Sequence, residues 1–228
     1  MNSDCIIPGT LAIELTLQDG EVAVSSADGE VLIQSIQSSS RETDDVLPAI
    51  DALMKKAHLK PSDLSLIALS IGPSGFTTMR IATTIAKHVS FITGALIVAV
   101  PSAISAAASQ SECEALLSIE AVKGDSFWLS QLSLCEGVWK CDATLTTTDV
   151  VKESSFTHQG ILCSPRHAEI AKVFNVPILP YAPSAKSLMI VSSERLNRGE
   201  TIGAAALTPL YPREPEAVRK WKAQRNDR

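Results

Sequence analysis

The sequence predicts an α/β protein of two lobes, the second a degenerate echo of the first, and three stretches carry that expectation. The run Leu64 to Val100 reads as strand, glycine turn, helix, parallel strand. Ahead of it, Asp19-Gly20 and Asp28-Gly29 separate short apolar runs, the pattern of an antiparallel meander. After Glu112, shorter strands and helices follow in a similar order.

In chain order, strands are expected at Leu11 to Leu17, Glu21 to Ser26 and Glu30 to Ile36. The polar Ser38-Ser39-Ser40 connection leads to a helix from about Thr43 to Ala57. Asp44 and Asp45 stand near its positive end, Lys55 and Lys56 near its negative end. Val46, Ile50, Leu53 and Ala57 line one stripe of it. Leu64 to Ile71 has the branching of a strand buried on both faces. Gly72-Pro73-Ser74-Gly75 is a tight turn, and Ser74 is expected to cap the helix that follows, Phe76 to Ile92. On that helix Ile81, Ile85 and Val89 form the core stripe. Met79, Ala82, Thr83, Ala86 and Ser90 form a flat strip of mostly small residues beside it, suited either to a partner helix or to extra core. Gly94 ends the helix, Ala95 to Val100 is a second buried strand, and Pro101-Ser102 starts a third helix.

The order to Ser109 is therefore β, β, β, α, β, α, β, α, that of a ribonuclease-H-like lobe of the actin-like ATPase fold. Beyond it come strands at Ala115 to Ala121, Ser126 to Leu134, Val138 to Cys141 and Ile161 to Cys163. Helices are expected near Thr147 to Glu153, Pro165 to Val173 and Ser184 to Arg198. No sequence repeat is visible, so the second lobe rests on element order alone. The expected division is 1–108, an N-terminal lobe; 109–211, a degenerate C-terminal lobe; and 212–228, a basic tail.

At 228 residues, 45% of them hydrophobic, the chain can bury a substantial core. A formal net charge of -5 argues against bulk attraction to nucleic acid or anionic membrane. The tail is the exception, with six basic residues against three acidic ones. Five scattered cysteines without a CxxC pair favour reduced thiols in a cytoplasmic protein, and MNSDCIIPG lacks the pattern of a secretory leader. Val89 to Ser111 carries no charged side chain, but Gly94, Pro101 and its many Ser and Thr residues suit helix, strand, helix better than a membrane span.

GPSGFTTMRIATTIAK resembles the GPGSFTGLRIG...AKGLA signature of the TsaB (YeaZ) family, the non-catalytic paralogue of TsaD in tRNA threonylcarbamoyladenosine modification. Ser74 and Gly75 stand in swapped order, and Thr78 and Ala82 replace family glycines. The resemblance continues on both sides. Leu11 to Thr16 is similar to the family's LAIDTST strand, Leu117 to Trp128 to its VVIDARKGEVYWA segment, and Pro209 to Arg213 to its terminal P-YLR. It implies a scaffold that carries no catalytic residue and needs no cofactor, acting on position 37 of tRNA only indirectly. Its partners would be TsaD and the ATPase TsaE, with a homodimer forming when TsaD is absent. The implied interface lies on the two helices, at Val46, Ile50, Leu53, Phe76, Met79, Arg80, Thr83, Ala86 and Ser90. A charge introduced at Met79 or Ala86 is then expected to weaken association and leave the fold intact.

Enzymatic readings fare worse. An ATPase of this fold sets an acidic residue before small residues that contact phosphate. Here Glu14 is followed by Leu15, Thr16 and Leu17, so Glu14 and Thr16 mark a degenerate phosphate site, with Glu14 expected to face solvent. No HxxxH or HExxH pairs the four histidines, so no metal site is expected. GxSxG is absent, and Ser70, Ser74 and Ser102 have no assignable base. The alternative to the scaffold is an active enzyme of the same fold, a small-molecule kinase or a glycoprotease-like metallohydrolase.

Overall fold

The computed structural model describes residues 6–37, 45–110, 112–152 and 157–211, together with residues 218 and 221. Thr43, Asp44 and nearly all of the basic tail lie outside the described residues.

Strands β1 (Thr10–Glu14), β2 (Asp19–Ser25) and β3 (Val31–Gln37) form the expected meander. Helix α1 (Val46–Lys56), strand β4 (Leu66–Ser70), helix α2 (Phe76–Thr93), strand β5 (Leu96–Val100) and helix α3 (Ser102–Ala107) complete the first set. Then come β6 (Ala115–Lys123), β7 (Ser126–Cys135), β8 (Val138–Thr147), α4 (Thr148–Lys152), β9 (Gly160–Cys163), α5 (Ala168–Ala171), β10 (Ile178–Pro180) and α6 (Ala185–Asn197). The sheets have one topology twice over, β3-β2-β1-β4-β5 and β8-β7-β6-β9-β10. In each, the central strand pairs antiparallel with the strand after it and parallel with the fourth. The fold is thus the expected one, and its second half is reduced chiefly in the outer helices, where α4 and α5 have five and four residues against eleven and eighteen in α1 and α2.

Two elements differ from expectation. β10 was not foreseen, because Pro177 and Pro180 bracket so short a run; it is an edge strand, where proline is tolerated. β8 runs to Thr147 and not Cys141: its outer half is largely exposed and polar, and its pairing with β7 holds it extended.

Side-chain alternation along the strands sorts the core into three layers. Leu11, Ile13, Ile67 and Leu69 meet α1 and α2 on one face of the first sheet. Ala12, Ala23, Ala68 and Val98 on its other face meet α3 and α6, which in turn pack on Leu116, Leu132 and Leu162 of the second sheet. Leu117, Ile119 and Phe127 face α4 and the outer side. Helix α3 lies between the two sheets with all six of its residues buried, and the small side chains of SAISAA are what permit that approach. This enclosure accounts for the absence of charge from Ser102 to Ala107. Among the described residues no helix is long and apolar enough to cross a membrane.

The turn before α2 depends on Gly72, whose φ is +93°; an added Cβ would sit 2.9 Å from the Ser74 amide nitrogen and 3.1 Å from the Met79 sulfur. Helix α2 ends at Gly94, left-handed, with its N–H donating to the Ser90 carbonyl.

The orientation of α2 settles the flat strip as core. Met79 (1% exposed), Ala82, Thr83 and Ala86 (0%) are buried together with Ile85 of the expected stripe, whereas Ile81 and Val89 are only half-buried against the same core. Small side chains let the helix lie close on the sheet, and that contact takes the flat strip. Met79→Glu or Ala86→Arg should therefore unfold the protein, costing upwards of about 3 kcal/mol. Urea denaturation checks this, and variants of wild-type stability would return the strip to the surface.

Candidate functional site

The two central strands carry the same pattern, Leu11-Ala12-Ile13-Glu14 in β1 and Leu117-Ser118-Ile119-Glu120 in β6. Register makes the match structural: Ile13 pairs with Leu69 of β4 and Val22 of β2, and Ile119 with Cys163 of β9 and Leu129 of β7. Glu14 and Glu120 each stand one residue further on. Alternation turns Glu14 the same way as Ala12, and Glu120 the same way as Leu116, into the space between the sheets.

The expectation that Glu14 faces solvent is therefore overturned: it is 2% exposed, and Glu120 is 4%. Ile13 and Leu15 on either side of it are core residues, at 0% and 4%. Glu14 Oε1 accepts from the Thr16 amide at 3.0 Å and from the Thr16 hydroxyl, while its Oε2 has no hydrogen-bond partner. Glu120 accepts from Ser130 at 3.2 Å and Ser102 at 3.4 Å, and the Tyr181 hydroxyl donates to Ser102 at 2.7 Å. The Ser70 and Ser118 hydroxyls lie close enough to these carboxyls to pull their pKa values down, without a hydrogen bond of ordinary geometry. The seam is thus two acids among hydroxyls. Burial, which penalises the charged form, pushes both Glu14 and Glu120 up to about 7 against the pull of the hydroxyl hydrogen bonds. Burial first, and the Glu120 charge second, also raise Tyr181 well above the ordinary tyrosine range.

A cavity of about 700 Å³ opens outside this seam, between the carboxyl ends of the strands in both sheets. Thr16, Gln18 and the Pro73-Ser74-Gly75 turn form one wall, and Lys123, Arg166 and His167 the other. Arg166 Nη2 donates to Gln18 Oε1 across it at 3.3 Å. Ala121, in the irregular pairing between Glu120 and Lys123, adopts a φ of +50°, a strain of about 1 kcal/mol that turns the β6 chain along the cavity. Ser74 does not cap α2: Gly75 holds the N-cap position without a side-chain bond, and the Ser74 hydroxyl donates to the Thr16 carbonyl at 2.8 Å. That contact ties the turn to the β1 end. Leu17 on the wall offers a phosphate no hydrogen bond. Among the described residues no group of three His, Cys, Asp or Glu side chains gathers as a metal would need.

Sequence reasoning missed Glu120, Tyr181, Arg166 and His167. The signal for Glu120 was present, because the L-x-I-E repeat corrects the view that no repeat exists. Of the residues named on the two helices, Val46, Ile50, Leu53, Met79, Thr83 and Ala86 are buried in the protein's own core and Ser90 is half-buried. Phe76 (39% exposed) and Arg80 are at the surface, with Phe76 stacked on Tyr211 at 4.7 Å and Arg80 5.9 Å from its ring centre. The outward side of the helix layer is instead marked by Leu47 (56%), Phe91 (88%) and Ile92 (74%).

A family model described as TsaD, tRNA N6-adenosine threonylcarbamoyltransferase, matches residues 36–136, a little under half of the chain. A solved structure from Pseudomonas aeruginosa, an uncharacterized protein with similarity to peptidase YEAZ, superimposes with a TM-score of 0.77. It is 18% identical over 91% of this chain and 100% of its own. YeaZ from the same organism gives a TM-score of 0.74 at 18% identity, over 90% and 100%. At that identity the likeness establishes the fold. No curated protein matches the sequence.

The seam makes stability depend on pH. Each carboxyl holds its proton more tightly folded, at about 7, than at its ordinary 4.5, so its contribution is complete below about 4.5 and lost as pH rises through 7. Glu14→Gln and Glu120→Gln should each remove part of that slope and gain roughly 2 kcal/mol at pH 8, with little gain at pH 4.5. Denaturation midpoints across that range check it; parallel wild-type and variant profiles would contradict it.

Proposed function

We propose that this chain, TsaB (YeaZ)-like in its motifs and its fold and matched in part by a TsaD family model, is a non-catalytic subunit that binds and supports TsaD in the threonylcarbamoylation of adenosine 37 in tRNA. The observation that carries this reading is the TsaD family-model match over residues 36–136, together with a cleft in which Leu17, beside Thr16, offers a phosphate no hydrogen bond. The chain works as two lobes, 1–108 and 109–211, with a basic tail at 212–228, in the cytoplasm, and TsaE joins the assembly. Contact with tRNA is indirect.

The docking surface is the layer of α1 and α2, as the resemblance implies, but carried by the outward Leu47, Phe76, Arg80, Phe91 and Ile92. The buried Val46, Ile50, Leu53, Met79, Thr83 and Ala86 hold those helices in place from beneath. Phe91 is the most exposed large hydrophobic residue described, and a side chain of that size left in water is worth 1.5–3 kcal/mol when covered, by the usual order-of-magnitude scale of about 25 cal/mol per Å².

Calorimetric titration tests the reading. The purified chain should bind the TsaD of its own organism and give no heat with Mg-ATP; strong ATP binding without TsaD association would overturn it. Phe91→Glu should weaken TsaD binding by at least about tenfold with an unchanged melting temperature, since the residue supports nothing in the core.

A further inference from the structure

The seam between the sheets holds more oxygen than its hydrogen bonds use. Ser70 follows Leu69, the partner of Ile13, so it stands beside Glu14 on the neighbouring strand and turns inward with Ala68. Ser118 faces the same space from the second sheet, between Leu116 and Glu120, and pairs in register with Ser130. Glu14, Ser70 and Ser118 are 2%, 1% and 0% exposed, and Glu14 Oε2, Ser70 Oγ and Ser118 Oγ have no hydrogen-bond partner. Buried polar atoms are nearly always satisfied, so three in one seam point to something that binds there. Every other carboxyl oxygen of the seam is engaged: Glu14 Oε1 by Thr16, Glu120 Oε1 by Ser130 and Glu120 Oε2 by Ser102. Among the described residues no ion pair reaches either acid. Thr16 and Glu120 also line the cavity, which gives the seam a path from solvent.

We infer that this seam binds one alkali cation, sodium or potassium, held directly by Glu14 Oε2 and the Ser70 hydroxyl oxygen, with Ser118 contributing from the opposite sheet. The donor set decides the class. Carboxylate and hydroxyl oxygens are hard ligands, unlike the thiolates and imidazoles that select zinc or iron, and an alkali ion does not ask for three His, Cys, Asp or Glu side chains. One unengaged carboxylate oxygen matches one positive charge, whereas calcium would also draw on the Glu120 oxygens that Ser102 and Ser130 already hold. A buried carboxylate without a counter-charge is costly; the cation supplies that charge and ties the first sheet to the second. A water molecule satisfies the same atoms without supplying charge, and the experiment separates the two. The inference concerns the lobe junction and stands independently of docking to TsaD.

Urea denaturation of the full chain at pH 8 tests this, in the chlorides of potassium, sodium, calcium and tetramethylammonium at equal ionic strength, so that general screening is the same in each. Potassium or sodium should raise the folding equilibrium constant saturably over tetramethylammonium, by about tenfold at ten times the Kd, and the larger response names the ion. Glu14→Gln keeps the shape and removes the charge; it should fold and lose that difference. Its advantage over the wild type at pH 8 should accordingly be full in tetramethylammonium and reduced in potassium or sodium. Crystals grown in rubidium chloride should show an anomalous peak beside Glu14 Oε2. Equal stability in all four salts, stabilisation by calcium alone, or a Glu14→Gln variant that keeps the wild-type response to potassium and sodium overturns the inference.

Discussion

The enclosure of α3 between two sheets is the constraint on which the rest of the molecule depends. Six residues, Ser102–Ala107, have protein on every side, so each must be small or apolar and none can carry charge. The sheets can then approach closely enough for Ala12, Ala68 and Ala103 to share one core with Leu116 and Leu162. Helix α6 returns from the second half of the chain into the same layer, through Leu188 and Met189, and couples the two halves. Around this layer the two halves differ, and the outer helices of the second sheet are single turns.

Where that layer ends, the two central strands deliver Glu14 and Glu120 into the same space. Two buried acids held by hydroxyls and a backbone amide are costly when ionised, and no cation is among the main influences on either. The seam is therefore a place where protonation and folding are linked. It is also where an active ATPase of this fold would place its metal and phosphate groups. Here Leu15 turns into the core, Leu17 lines the cleft, and the Ser74 hydroxyl is committed to the Thr16 carbonyl.

The element order of the first half was legible because each signal is local: Asp-Gly turns, a glycine turn, a helix stopped by Gly94. Burial direction was not. Glu14 lies on a strand whose alternation is plain, but the sheet that covers its face comes a hundred residues later, so a solvent-facing glutamate was the natural reading. Met79, Ala82 and Ala86 posed the same ambiguity. A strip of mostly small residues suits a partner helix and a nearby sheet equally, and only the position of β4 and β5 decides. Phe91 and Ile92 were overlooked because they fall in the last turn of α2, off the stripe. β10 was hidden by its prolines, and the basic tail lies outside the described residues.

Hydrogen–deuterium exchange on the chain alone and mixed with TsaD tests the central claim, that function lies on the outer helix layer and not in the cleft. The account predicts slower exchange across α1 and α2, residues 46–56 and 76–93, with the cleft segments at 16–19 and 164–167 unchanged. Protection confined to the cleft, with α1 and α2 exchanging as in the free chain, would contradict it.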